Sequence, residues 1–242
     1  MRYPSMHFPQ LDSTNLEAKR LIESGEAKHG LLITADFQTQ GRGQQGKPWH
    51  SVEAQNAMLS LVLEPKDLPI KNQFLLNMIT SLAVADVIED YGLIVKVKWP
   101  NDIYVSDKKI CGILIQNFLK GDSIQQTIIG IGLNVNQTTW PADIPNPTSL
   151  AKEQNQHYVL RDVIDQIATS VLSRSKMMNS EQALRDEYHQ RLYRKGDASR
   201  FALGEDVIHG MIQGIDDIGR LIINHEGVNH AYQHGEIALL LD

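Results

Sequence analysis

A single cysteine, Cys111, in 242 residues leaves no partner for an intrachain disulfide. A reducing compartment is the simple expectation. No stretch of about 18 apolar residues occurs, and the first eight residues carry no apolar run of signal-peptide length. A membrane span is therefore not expected, and the protein is expected to be cytoplasmic. Basic excess is also missing. Lys and Arg number 23 against 29 Asp and Glu, a formal net charge of −6. A duplex-binding surface normally carries the opposite balance, so DNA is not an expected partner. Apolar content of 42% and charged content of 21% are ordinary for a globular chain with a sizeable core.

The order of patterns indicates a mixed chain. Thr14-Asn15-Leu16-Glu17 matches a capping box, followed by Ala18, Leu21 and Ile22 on one helical face and Gly25 at the stop. Leu31–Ala35 and Ala57–Leu63 read as buried strands around a Gly- and Gln-rich loop from Gln38 to Pro48. Phe74–Tyr91 has helical periodicity. Val95–Trp99, stopped by Pro100, precedes paired strands over Lys108–Phe118 and Ser123–Leu133, with Gly121-Asp122 as their turn. A Pro-rich loop runs from Trp140 to Pro147, and Tyr158–Arg194 reads as mostly helical. After about Gly196, glycines at 204, 210, 214, 219, 227 and 235 punctuate short apolar strands, the pattern of a small β-barrel. The expected domains are residues 1–195 and 196–242.

Gly41-Arg42-Gly43-Gln44-Gln45-Gly46 formally matches G-x-G-x-x-G. A dinucleotide site needs a helix to open there, and Lys47-Pro48-Trp49 opens none. A phosphate loop needs Ser or Thr after Gly46-Lys47, where Pro48 stands. What remains is either a solvated turn or a loop whose amides and two cations close over an anion. Lys98-Trp99-Pro100-Asn101-Asp102 ends a strand, with Asn101 and Asp102 expected on the loop that follows. This amide and carboxylate suit Mg²⁺ and polar nucleotide groups, or a simple Asx turn. Lys109, before a buried strand, either stabilises a developing anion or belongs to a charged turn after Ser106-Asp107. Gly130–Asn136 combines small residues, which admit close approach, with two amides. His225, His230 and His234 lie in strand and turn, so their spacing does not group them as metal ligands. Cys111 reads as inert packing.

Taken in order, Asp12–Asn15, Gly41–Trp49, Lys98–Asp102, Lys109–Leu114 and Gly130–Asn136 resemble the biotin protein ligases, from about Asp12 to the C-terminus. The resemblance implies an α/β (α+β) fold: a mixed-sheet catalytic domain of the biotin/lipoate ligase type, then a small SH3-like β-barrel. It implies that biotin and ATP with Mg²⁺ give biotinyl-5'-AMP, and that biotin then passes to a lysine of a biotin carboxyl carrier domain. By resemblance, Lys109 and Arg42 are catalytic. Ser13, Thr14, Asn15, Gln38, Arg42, Gly43, Gln44, Lys109 and Gly112 hold biotin. Lys47, Trp49, Lys98, Asn101, Asp102 and Asn134 serve the nucleotide, with Asp102 toward Mg²⁺. About ten residues precede Asp12, too few for the N-terminal DNA-binding domain of bifunctional members. A homodimer paired through sheet edges is among the expected assemblies. The alternatives are a lipoate or octanoate ligase of the same fold, whose R-R-x-x-G-G-G run is missing, and a non-catalytic protein that binds biotinyl-adenylate.

The loop departs from the family pattern, because Gln44, Gln45 and Lys47 stand where arginines are common. Hydrogen bonds to charged groups contribute about 1.5–3 kcal/mol. Restoring one, by Gln44→Arg, is expected to slow dissociation of preformed biotinyl-adenylate by roughly ten- to a hundredfold. Off-rates at several salt concentrations test this. Equal rates with equal salt dependence would remove Gln44 from control of retention.

Overall fold

A computed structural model describes residues 3–241, the side chain of Gln45 excepted. The chain opens with β1 (Ser5–Leu11), α1 (Thr14–Glu23), β2 (Leu32–Gln38), β3 (Asn56–Leu63) and a short β4 (Leu68–Pro69). Then come α2 (Phe74–Asp90), β5 (Val95–Lys98), β6 (Asp102–Val105), β7 (Lys108–Lys120) and β8 (Ser123–Asn134). Helices α3 (Leu150–Gln154), α4 (Leu160–Arg174) and α5 (Glu181–Arg191) follow. Five short strands close the chain: β9 (Ala198–Leu203), β10 (Asp206–Ile215), β11 (Leu221–His225), β12 (Val228–Tyr232) and β13 (Ala238–Leu240).

The first eight strands form one sheet, ordered β1-β2-β3-β8-β7-β6-β5, with β4 beside β8. Only β1 and β2 run parallel; the other pairs are antiparallel. This is the expected mixed sheet. Alternation along the strands sorts its two faces. Leu59, Leu61, Leu63, Ile129, Ile131 and Leu133 pack with α2 and α4 in the main core. Ile33, Val62 and Ile128 face the other way, where they meet Ala18 and Leu21 of α1. Helix α2 is buried along most of its length, as suits a central element with apolar residues all round. Each fully buried Leu or Ile contributes about 1.5–3 kcal/mol relative to exposure.

The last five strands form an antiparallel sheet, ordered β12-β11-β10-β9-β13. Its β10–β11 turn is seated on the larger unit. Arg185 of α5 donates to the carbonyls of Asp216 and Asp217, at 2.6 and 3.0 Å. His189 Nε2 accepts from Ile215 N at 3.0 Å. Trp99 Nε1 donates to Gly219 O at 2.9 Å. Phe201, Ile212, Ile215, Leu221 and Ile223 complete the seal by joining the main core.

Two local expectations need correcting. Thr14–Glu17 is not a capping box: Ser13 is the N-cap, no side chain caps the helix, and Glu17 pairs with Arg20. Asp102 lies not on a loop but on β6, opposite Lys98. The stretch Tyr158–Arg194 is mostly helical, as expected, and divides into α4 and α5 where the chain turns through Met178–Ser180. Edge strand β1, with Pro9 inside it, escaped the sequence reading altogether. Among the described residues, no helix is long and apolar enough to cross a membrane.

Gly219 packs tightly against α2 of the larger unit. Its φ is +88°, and a Cβ there would lie 2.1 Å from Phe74 Cγ. Gly219→Ala therefore combines a disfavoured backbone with a collision against a ring that is 8% exposed. A loss of about 1–3 kcal/mol is expected in denaturant unfolding. An unchanged midpoint would show that the seat yields without cost.

Candidate active site

The site is built on missing side chains. Gly112 of β7 and Gly132 of β8 are register partners, as are Leu114 and Gly130 on the next rung of the same face. A Cβ on Gly112 would lie 2.8 Å from the Trp49 ring, and one on Gly132 2.6 Å from it. A Cβ on Gly130 would lie 2.2 Å from Asn15 Oδ1. The glycines thus let an indole and an amide lie directly on the sheet. Around them opens a cavity of about 670 Å³, within the range of small-molecule sites. Ile212 and Leu221 of the second sheet, with His234 and Ile237 between β12 and β13, supply part of its wall.

One end is formed by the N-terminus of α1. Ser13, Thr14 and Asn15 are buried, and their side chains turn to the cavity and the sheet instead of capping the helix. Thr14 N donates to Gln38 Oε1 at 2.7 Å, and Thr14 Oγ1 lies 3.1 Å from the same oxygen. A backbone N–H can only donate, so the Gln38 oxygen must face α1 and its NH₂ must face the cavity. There Nε2 meets, among the described residues, only the weak acceptor Met58 Sδ, at 3.4 Å. Gln38 therefore offers a donor to whatever enters.

The other end is cationic. Lys109 Nζ lies 2.6 Å from Asp102 Oδ2 and 5.7 Å from the centre of a Trp49 ring. The Pro-rich loop holds the Lys109 backbone, with Lys109 N on Asn146 O at 2.7 Å and Thr148 N on Lys109 O at 2.9 Å. Lys98 Nζ sits over Tyr104, 5.4 Å from the ring centre. Burial lowers the Lys98 pKa from the ordinary lysine value; Asp102 opposes this, while Lys109 and Lys47 add to it. The surroundings thus make an anion beside Lys98 favourable. Burial raises the Cys111 thiol well above its usual value, so it is no nucleophile at neutral pH.

Of the residues singled out from sequence, Ser13, Thr14, Asn15, Gln38, Arg42, Gly43, Gln44, Lys47, Trp49, Lys98, Asp102, Lys109, Gly112 and Asn134 all line this cavity. Asn101 lies beneath it. Its Oδ1 accepts from Gln44 Nε2, and its Nδ2 donates to Asn77 Oδ1 of α2 at 3.0 Å. Gln44 thereby leans toward the Asn101 end of the cavity. Trp140 lines the cavity too, stacked under Lys152. Asn134 Nδ2 holds Thr148 O at 2.9 Å. Asn134 Oδ1 and Trp49 Nε1 are buried with no hydrogen-bond partner among the described residues. Sequence reading missed Ser60, Asn77 and Tyr104, and weighed His234 only as a metal ligand, whereas it lines the cavity. A lone hydroxyl inside an apolar strand was the available signal for Ser60.

Comparison with known proteins identifies the family. Residues 7–134 match the biotin/lipoate A/B protein ligase family, and residues 200–240 match the biotin protein ligase C-terminal domain. The chain belongs to the biotin/lipoate A/B protein ligase family. The second match puts it among the biotin protein ligases. It is 32% identical to the bifunctional ligase/repressor BirA of Bacillus subtilis over 231 residues, 92% of this chain and 70% of that one. It is 27% identical to the biotin–[acetyl-CoA-carboxylase] ligase of Mycobacterium tuberculosis, covering 96% of this chain and 87% of that one. A solved structure of the Aquifex aeolicus biotin protein ligase in complex with biotin and ATP superposes with a TM-score of 0.82 at 26% identity, over 99% of both chains.

The glycine floor is testable without any ligand. Gly132→Ala is expected to lift Trp49 from its seat, shifting tryptophan emission to the red and raising its quenching by acrylamide. The change should vanish in a Trp49→Phe background. Identical spectra would show that the sheet, not the indole, gives way.

Proposed function

We propose that this chain, a biotin protein ligase, binds biotin with its ureido ring at the α1 end of the cavity and MgATP at the Lys98–Asp102–Lys109 end. A biotin carboxylate oxygen attacks the α-phosphorus. The bond to the bridging pyrophosphate oxygen breaks, leaving biotinyl-5'-AMP. The neutral ε-amine of a carrier-domain lysine then attacks the acyl carbon, the acyl–phosphate bond breaks, and AMP leaves.

One juxtaposition carries this reading: an amide donor and hydroxyls at one end of the cavity, and clustered lysines at the other. A cyclic urea offers a carbonyl to Gln38 Nε2 and N–H groups to hydroxyl oxygens. The lipoyl dithiolane and an octanoyl chain offer neither, so their binding would leave buried polar groups unpaired. Two anions must approach for adenylation, and Lys109, Lys98, Lys47 and Arg42 supply positive charge where they meet. Arg42–Gln44 and Lys47–Trp49 line the cavity, and a loop placed there would limit the water that hydrolyses the anhydride. Asn134 Oδ1 is an orphan acceptor suited to an exocyclic amine such as that of adenine.

Magnesium comes with the nucleotide. Among the described residues no three His, Cys, Asp or Glu side chains gather into a cage. Asp102 and Asp143 are the carboxylates of the cavity wall. That set fits a Mg²⁺ held mostly by phosphate oxygens and water, with one carboxylate from the protein. Bound there, it would neutralise phosphate charge.

The test is exchange of labelled pyrophosphate into ATP, which should require biotin and Mg²⁺ and should not proceed with lipoate. Exchange with lipoate but not biotin would overturn the substrate. Lys109→Ala should lower biotin-dependent exchange at least about tenfold, because one lost contact to a developing anion costs about 2.7–4 kcal/mol. An unchanged rate would remove Lys109 from the chemistry.

A further inference from the structure

Strand β3 carries one hydroxyl in an otherwise apolar core, at Ser60, which is fully buried. It does not line the cavity. It shares its face with Met58 and Val62, and its register partner is Gly130, itself paired with Leu114. The rung Ser60–Gly130–Leu114 therefore crosses three strands beneath α1. Asn15 lies on that rung, in the space a Cβ of Gly130 would fill.

Counting protons fixes the polarity of the network. Asn15 Nδ2 donates to Gln116 Oε1 at 3.1 Å and approaches Leu114 O at 3.5 Å. A carbonyl only accepts, so Asn15 Oδ1 must point to Ser60. Ser60 Oγ lies 2.6 Å from Asn15 Oδ1 and 2.8 Å from Thr14 Oγ1. It has one proton for these two oxygens. Asn15 Oδ1 carries no hydrogen, and Ser60 is its one donor among the described residues, so the proton goes there. Thr14 must then donate, either to Ser60 Oγ or to Gln38 Oε1 at 3.1 Å. Ser60 lies outside the cavity lining, and Gln38 Oε1 is already turned to α1 by Thr14 N. A lone pair of Thr14 is what remains for a ligand.

We propose that Ser60 is a positioning residue for ligand recognition: it holds Asn15 on the glycine rung and turns Thr14 into an acceptor beside the Gln38 donor. The α1 end of the cavity then presents acceptor next to donor, the complement of an N–H next to a carbonyl. The inference rests on the assignment of biotin to this end and adds the group that sets its polarity.

The experiment compares Ser60→Ala and Ser60→Cys with wild type. It measures biotin binding by calorimetry without nucleotide, then biotin and ATP kinetics in pyrophosphate exchange. Ser60→Ala should raise the biotin dissociation constant and its KM about five- to tenfold, the scale of one buried hydrogen bond. The KM for ATP and kcat should stay within about twofold. Desthiobiotin, which keeps the urea and lacks the sulfur, should lose affinity equally. Ser60→Cys, a weak donor of similar size, should fall between, and it carries the test if the alanine variant does not fold. A purely structural role would lower thermal stability while leaving biotin and ATP parameters unchanged or moving them together. That result, or biotin affinity within twofold of wild type, overturns the proposal. Failure of the wild type itself to bind biotin would instead strike the assignment on which the proposal rests.

Discussion

Everything at the site depends on a strip of sheet with no side chains. Gly112, Gly130 and Gly132 lie on one face of β7 and β8, two of them paired directly across the strands. In a buried sheet such positions would ordinarily be filled by branched residues, as the opposite face is by Ile129, Ile131 and Leu133. Glycine weakens a strand by roughly 0.5–1 kcal/mol at each position. The helices packed on the other face offset that loss. One face of the sheet is thus a core and the other a floor, and the cavity has depth because the floor is flat.

Polar groups around this floor are arranged by what each atom can and cannot do. A backbone N–H that only donates orients Gln38. A carbonyl that only accepts orients Asn15. Lysines crowd around Asp102, and the burial that disfavours charge on Lys98 is relieved when an anion arrives. The two ends differ in kind: neutral hydrogen bonds read shape at one, while charge is matched at the other. A molecule with a cyclic urea and a carboxylate, meeting a polyphosphate, fits that division.

Much of this was legible in the sequence, and what was hidden has physical causes. Strand β3, helix α2 and the β7–β8 hairpin declared themselves by apolar runs and a Gly-Asp turn. Family resemblance located the loop, Lys109 and the Ser13–Asn15 segment. Thr14–Glu17 misled because a cap and a binding site use the same residue types. The short hydroxyl and amide side chains that could satisfy helix N–H groups here turn to the sheet and the cavity. β6 was hidden because a four-residue strand after a proline has too little pattern to separate it from a turn. Ser60 and Asn77 were hidden because their meaning lies in partners that are distant along the chain: Asn15 for the first, Asn101 for the second. The contribution of His234 and Ile237 to the cavity wall depends on how one sheet sits on the other, which periodicity does not encode.

That seating joins the fate of the two sheets. The turn around Gly219 is fixed from three elements at once, by Phe74 of α2, Trp99 at the end of β5 and Arg185 of α5. Trp99 also lines the cavity. The small C-terminal unit is therefore no interchangeable module. A chimera taking this unit from a relative would have to bring a matching Phe, Trp and Arg on the larger unit and keep the length of the Asp216–Gly219 turn. Otherwise a gap would open in the wall around the reaction. Recombination in this family is constrained less at the linker, where the chain is easily joined, than at a four-residue turn beyond it.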